Sequence, residues 1–210
     1  MKPEFLLTIA DVSQFPGLFR GRYLKGFCEP RLVMVGRSNV GKSTLINVLL
    51  GRKLAQTSGQ PGKTRALHFY RWPEGKKIIV DLPGYGYAHA SKTDRLRWEE
   101  FIGCYFQNDP HLERAMVLID ARHGPTKSDE EAIKFLSLKS IPVTVVIVKA
   151  DTLKTQSQRA LRHQEVKMAL NSLGIGLEDF FWVSSHQGTG VKELKRDLQQ
   201  RLVGMSRGAD

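Results

Sequence analysis

The chain has 210 residues, of which 41% are hydrophobic and 25% charged; this is ordinary globular composition, and it argues against disordered and fibrous classes. No apolar run approaches the roughly 20 residues of a membrane helix, the N-terminus lacks a secretory h-region and cleavage site, and two cysteines, Cys28 and Cys104, are too few for a disulfide framework or a zinc cluster. A reducing, cytoplasmic setting without a membrane is expected. The formal net charge is +11, and all of the excess lies in residues 20–77, which hold thirteen basic and two acidic residues. A basic face of that kind can neutralise nucleic-acid phosphates.

Residues 1–29 read as an N-terminal extension, 30–203 as one domain and 204–210 as a tail. The predicted strands are Arg31–Val35, Leu67–Trp72, Lys77–Asp81, Ala115–Asp120, Val143–Lys149 and Phe180–Ser184. They are short, apolar and mostly without polar alternation, as strands buried on both faces read. Helical patterns fall near 42–50, 92–107, 128–139, 155–172 and 189–203. Ser128 with Glu131 and Thr155 with Gln158 fit capping boxes. Leu161, Val166, Met168, Leu170 and Leu173 supply apolar positions to the fourth helix. The turn Pro73-Glu74-Gly75 makes Leu67–Trp72 and Lys77–Asp81 an antiparallel edge hairpin. Strand–helix alternation elsewhere predicts an α/β domain, a mostly parallel six-stranded sheet with helices on both faces and one antiparallel edge strand.

After the first strand comes Gly36-Arg37-Ser38-Asn39-Val40-Gly41-Lys42-Ser43, a full match to G-x-x-x-x-G-K-S/T, with Thr44 opening the following helix. Glycines let such a loop turn its N–H groups toward phosphate oxygens. Lys42 is expected to reach the outer phosphates and Ser43 to ligate Mg2+. Asp81-Leu82-Pro83-Gly84 ends a later strand; its Asp81 suits a magnesium held through water, and Gly84 a contact with the third phosphate. Between them, Thr64 within Gly62-Lys63-Thr64-Arg65-Ala66 is the candidate second hydroxyl ligand, in a loop that would order with triphosphate. At the end of another strand stands Val148-Lys149-Ala150-Asp151, where a carboxylate can accept from N1–H and the exocyclic amine of guanine. Val183-Ser184-Ser185 follows the last strand, where a backbone N–H suits guanine O6.

These patterns, in this order, resemble the Ras-like GTPases, and within them the EngB family of the TrmE–Era–EngA–EngB–septin-like group. The run Asp81–Tyr87 is the most family-specific piece. The resemblance implies a Ras-like P-loop domain that binds GTP and GDP, hydrolyses GTP slowly with Mg2+, and acts in assembly of the large ribosomal subunit, with loss disturbing cell division and septation. It implies catalytic roles for Lys42, Thr64 and Gly84. One departure is Val148, where the family usually carries Thr or Asn. Another feature is Tyr85, which occupies the place of the water-orienting Gln of Ras-type enzymes. Asn39 stands where relatives ligate potassium, so K+ is a candidate activator. Arg52, Lys53, Lys63, Arg65, Arg71, Lys76 and Lys77 exceed what GTP requires and are candidates for ribosomal RNA. Trp98, Phe101, Tyr105 and Phe106 read as core. A monomer is expected. A P-loop ATPase or kinase, and a nucleotide-dependent cell-division scaffold, remain alternatives.

Overall fold

The computed structural model describes residues 1–19, 28–56, 66–85 and 92–200, with the side chains of 19 and 92–98 outside that description. Seven strands form one sheet: β1 (Glu4–Ile9), β2 (Arg31–Gly36), β3 (Leu67–Trp72), β4 (Lys77–Asp81), β5 (Leu112–Asp120), β6 (Val143–Val148) and β7 (Phe180–Trp182). The helices are α1 (Phe15–Phe19), α2 (Lys42–Leu50), α3 (Lys92–Asn108), α4 (Lys127–Leu138), α5 (Gln156–Ser172) and α6 (Val191–Gln200). The sheet order is β1-β3-β4-β2-β5-β6-β7. Pairings are parallel except β1 with β3 and β3 with β4.

The sheet has one strand more than the six expected. Glu4–Ile9 covers β3, so the predicted hairpin is not the edge. The strand escaped sequence reading because only Ile9 of its six residues is buried, and Phe5 stays 48% exposed.

Alternate residues of each central strand feed two cores. Val33, Val117 and Val145 meet α1, α3, α4 and α5 on one face. Leu32, Met116 and Val146 meet α2 and α6 on the other. A buried aliphatic side chain of this kind contributes about 1.5–3 kcal/mol. Phe101, Tyr105 and Phe106 are buried core residues, as expected, and Trp98 lies outside the described side chains. On α5 only Val166 and Leu170 are buried, while Leu161 and Met168 face outward. Thr155 and Gln158 form their capping box, but α4 starts from Thr126 with Asp129, not from Ser128 with Glu131.

β2 lies at the centre with β4 and β5 on its two sides, so the chain order switches direction there. In open α/β sheets the crevice outside the carboxyl ends of strands at such a point receives ligands. Gly36, Asp81, Asp120 and Val148 all close strands at that end.

Several basic residues of the 20–77 window are not free surface. Arg31 is buried against Asp109 at 2.5 Å. Arg71 pairs with Glu4 and with Glu29. Lys77 is buried, and its Nζ donates to the Leu198 carbonyl at 2.5 Å. Arg52, Lys53 and Lys76 are exposed, and Lys63 and Arg65 lie outside the described residues.

Candidate functional site

The turn from β2 into α2 builds the first part of the site. Gly36 ends the strand, and a Cβ there would stand 3.0 Å from Val40 Cγ1 and 3.2 Å from the Leu118 carbonyl. Val40 is buried among Leu45 and Leu118, which draws the loop onto the core. Gly41 has φ 119°, a conformation that favours glycine, and caps α2. Asn39 has φ 61°, in the left-handed region that Asn tolerates. Thr44 is exposed, and Arg37 and Ser38 are half-buried along the loop. The N-terminus of α2 thus faces the crevice, with the partial positive charge suited to an anion.

Lys42, Ser43 and Asp81 meet beneath this loop. Lys42 Nζ donates to the Gly36 carbonyl at 3.4 Å, and Ser43 Oγ donates to Asp81 Oδ2 at 3.5 Å. Asp81 is buried and its Oδ1 has no hydrogen-bond partner. Burial pushes the Asp81 carboxyl up to about 6, against the pull of Lys42 and Ser43. Burial likewise lowers Lys42, which the Asp81 charge opposes. An orphaned carboxylate oxygen beside a hydroxyl offers hard oxygen donors, the type Mg2+ takes. The donor set therefore fits that ion.

The D-x-x-G segment lies on the phosphate-type loop. Leu82, Pro83 and Gly84 are buried. A Cβ on Gly84 would stand 2.8 Å from both Ser38 N and Ser38 Oγ. Tyr85 N donates to the Gly36 carbonyl at 3.3 Å, and Ser38 N donates to the Tyr85 carbonyl at 3.2 Å. Of the loop singled out in the sequence, Gly62, Lys63, Thr64 and Arg65 lie outside the described residues, and only Ala66, half-buried, is described.

The base-reading candidates gather at the ends of β6 and β7. Val148 is buried in the apolar core. Lys149 has φ 60°, and its Nζ donates to the Asn39 carbonyl at 2.9 Å. Its Cε comes within 3.9 Å of the Cβ position of Gly41, so its stem runs over the loop. Ala150 N donates to the Val183 carbonyl at 3.2 Å. Asp151 Oδ1 accepts from Ser184 Oγ at 2.7 Å, and the same hydroxyl oxygen accepts from Gln187 N at 3.0 Å. The Ser184 hydrogen bond holds the Asp151 carboxyl below its ordinary value. Ser184 is buried, and Ser185 is half-buried beside it. The following turn closes through Gly190, where a Cβ would stand 2.0 Å from the Trp182 carbonyl.

Two contacts were not read from the sequence. Asp120 reaches Lys149, with Nζ to Oδ2 at 2.9 Å. Tyr85 Oη donates to Asp129 Oδ1 at 2.7 Å. The signal available for the first was a second acidic residue, after Asp81, closing a parallel strand.

The family described as 50S ribosome-binding GTPase matches residues 31–149, and the elongation factor Tu GTP binding domain matches residues 100–203. The chain is 41% identical over 203 residues to a probable GTP-binding protein EngB of Oleidesulfovibrio alaskensis, spanning 95% of this chain and 86% of that one. It is 49% identical over 149 residues to the one of Streptococcus thermophilus, 70% of each. The crystal structure of a probable GTP-binding protein EngB superposes with TM-score 0.61 at 25% identity, over 80% of this chain and 96% of that one. Era in complex with magnesium GDPNP and a segment of 16S ribosomal RNA superposes with TM-score 0.62 at 27% identity, over 81% of this chain and 55% of that one. With identity of this extent and a Ras-like sheet order, the chain is a GTPase and belongs to the EngB family of GTP-binding proteins.

Proposed function

We propose that residues 30–203 form a switch domain that binds GTP and GDP at the crevice described above and hydrolyses GTP slowly. The observation that carries this reading is the Asp151 carboxylate fixed by Ser184 at 2.7 Å. An ionised, oriented carboxylate accepts from N1–H and the exocyclic amine of guanine, a donor pair that adenine lacks. Lys149 lies over the base, flanked by Val148, Ala150 and the Val183–Ser185 turn. The backbone of Gly36–Ser43 takes the phosphates, with Thr44 in the first turn of α2. Lys42 is the cation for the outer phosphates. Ser43 and Thr64 would supply hydroxyls to Mg2+, and Asp81 would hold it through water; when bound, the metal would neutralise charge developing on the phosphates. Gly84 presents its N–H toward the third phosphate. Turnover is slow because Tyr85 stands at the position of the water-orienting Gln and its hydroxyl is given to Asp129. Asn39 is the candidate ligand for potassium; equal hydrolysis rates in potassium and sodium remove that role.

We infer that this switch acts in the cytoplasm, as a monomer, in assembly of the large ribosomal subunit, and supports cell division and septation. Family membership and the exposed cations Arg52, Lys53 and Lys76 support this reading. The test is co-sedimentation with large subunits in GTP and in GDP. Association that depends on GTP and is lost when Arg52, Lys53 and Lys76 are all changed to Glu is expected. Equal association of the variant contradicts the RNA face, and septal localisation without subunit association favours the division scaffold.

A further inference from the structure

Asp120 closes β5 beside the base-reading turn, and its carboxylate is saturated. Oδ2 accepts from Lys149 Nζ at 2.9 Å and from Arg122 Nη2 at 2.7 Å. Oδ1 accepts from Arg122 Nε at 2.9 Å and from Arg122 N at 3.0 Å. The fork of a guanidinium on a carboxylate fixes orientation as well as position. Arg122 is itself held from behind, because Arg162 of α5 donates Nη2 to the Arg122 carbonyl at 3.0 Å and Nη1 to the His123 carbonyl at 3.2 Å. The burial of Asp120 would raise its carboxyl, but the hydrogen bonds from Arg122 and Lys149 outweigh it and hold the group well below the usual carboxylate range.

The same Lys149 ammonium that meets Asp120 also donates to the Asn39 carbonyl of the phosphate-type loop. Val148, the residue before it, is buried and has no side-chain polar atom with which to join the two loops. The bond between base loop and phosphate loop therefore runs through a long, flexible lysine. A lysine stem has many rotamers, and each must be suppressed for the head group to stay in place. Asp120 supplies that restraint with a full negative charge, and Arg122 keeps the carboxylate turned toward Lys149.

We propose that Asp120 and Arg122 are positioning residues for the nucleotide base, fixing Lys149 across the two loops and supplying the tether that Val148 cannot make. The proposal rests on the assignment of Lys149 to the guanine site. Neither residue touches the nucleotide; both act through Lys149.

The experiment is binding of fluorescent GDP, and GTP kinetics, for Asp120→Ala, Asp120→Asn, Arg122→Ala, Arg122→Lys and Lys149→Ala, with each Asp120 change repeated in the Lys149→Ala background. Loss of a charge-assisted hydrogen bond predicts about tenfold weaker GDP binding for Asp120→Ala. For GTP the loss falls on KM rather than kcat, and the preference for GTP over ATP remains, since Asp151 is untouched. Arg122→Lys does not restore affinity to Arg122→Ala, because an ammonium cannot make the fork. In the Lys149→Ala background the Asp120 changes add nothing, which a merely structural role would not produce. Asp120→Asn keeps the volume and carries the test if Asp120→Ala fails to fold. Unchanged affinity in both Asp120 variants, or losses that add fully to that of Lys149→Ala, overturn the proposal. Unchanged affinity in Lys149→Ala alone overturns the guanine-site assignment itself.

Discussion

The Tyr85 hydroxyl donates to Asp129 Oδ1 at 2.7 Å, while the backbone of Tyr85 pairs with Gly36 and Ser38. One residue thereby joins the end of the D-x-x-G segment to the phosphate-type loop and to the first turn of α4. Asp129 is buried, and its other oxygen accepts from Thr126 N and Oγ1 at the start of that helix. Burial and the neighbouring Asp129 charge push the phenol far above its ordinary value, so Tyr85 remains protonated and a donor.

Tyr85→Phe keeps the ring and removes the donor. It leaves a buried carboxylate oxygen short of a partner, a cost of about 1–3 kcal/mol in urea unfolding. GTP turnover should stay within a few-fold of the wild type. A loss of about a hundredfold, the size of a deleted acid–base group, would put the phenol at the reacting water instead.

Gly84→Ala tests the close approach of the D-x-x-G segment. The new Cβ would meet Ser38 N and Oγ at 2.8 Å and Ser38 Cα at 2.9 Å. Backbone atoms cannot swing aside, so the segment must lift from the loop, at about 1–3 kcal/mol as for other overpacked sites. GTP binding is expected to fall more than GDP binding. Equal losses for the two nucleotides would separate Gly84 from the third phosphate.

Lys77 gives a pH dependence. Burial lowers its ammonium to about 8, against the opposing pull of Glu113. The unfolded chain, where Lys keeps its ordinary value of 10.5, then binds more protons than the folded protein between pH 8 and 10.5. Stability from this group therefore rises with pH across that window. Urea midpoints of the wild type minus those of Lys77→Met should climb from pH 8 to 10. A difference that is flat or falls with pH would contradict the burial of a charged Lys77 under α6.

Ser184→Ala removes the hydroxyl that orients Asp151 and receives Gln187 N. GDP affinity should fall by about tenfold, the cost of a hydrogen bond to a charged group, measured by equilibrium titration. Unchanged affinity would show that Asp151 needs no support from the β7 turn.

What the sequence revealed and what it hid follow from the range of the interactions. The strand before Gly36 and the helix after Gly41 were legible because apolar runs and a glycine pair are local signals. The Pro73–Lys76 turn and the Thr155–Gln158 box were legible for the same reason. At α4, Thr126-x-x-Asp129 and Ser128-x-x-Glu131 compete, and burial of Asp129 decides between them. β1 was hidden because an edge strand with one buried residue has no alternation to read. Charge counting marked Arg71 and Lys77 as surface cations; the structure pairs Arg71 with Glu4 and Glu29 and Lys77 with the end of α6, partners far along the chain. The Asp120 contact with Lys149 was hidden likewise, since the two meet only when β5 and β6 align, whereas Arg122 lies two residues on.

On the proposed function, Asp151, held by Ser184, selects guanine. The direct measurement is binding of labelled GDP, GTP and ATP with Mg2+ to the wild type and to Asp151→Asn. Strong preference of the wild type for GDP and GTP over ATP is expected, with its collapse in Asp151→Asn while the fold stays intact. ATP bound as well as GTP by the wild type, or a preference untouched by the substitution, would contradict it.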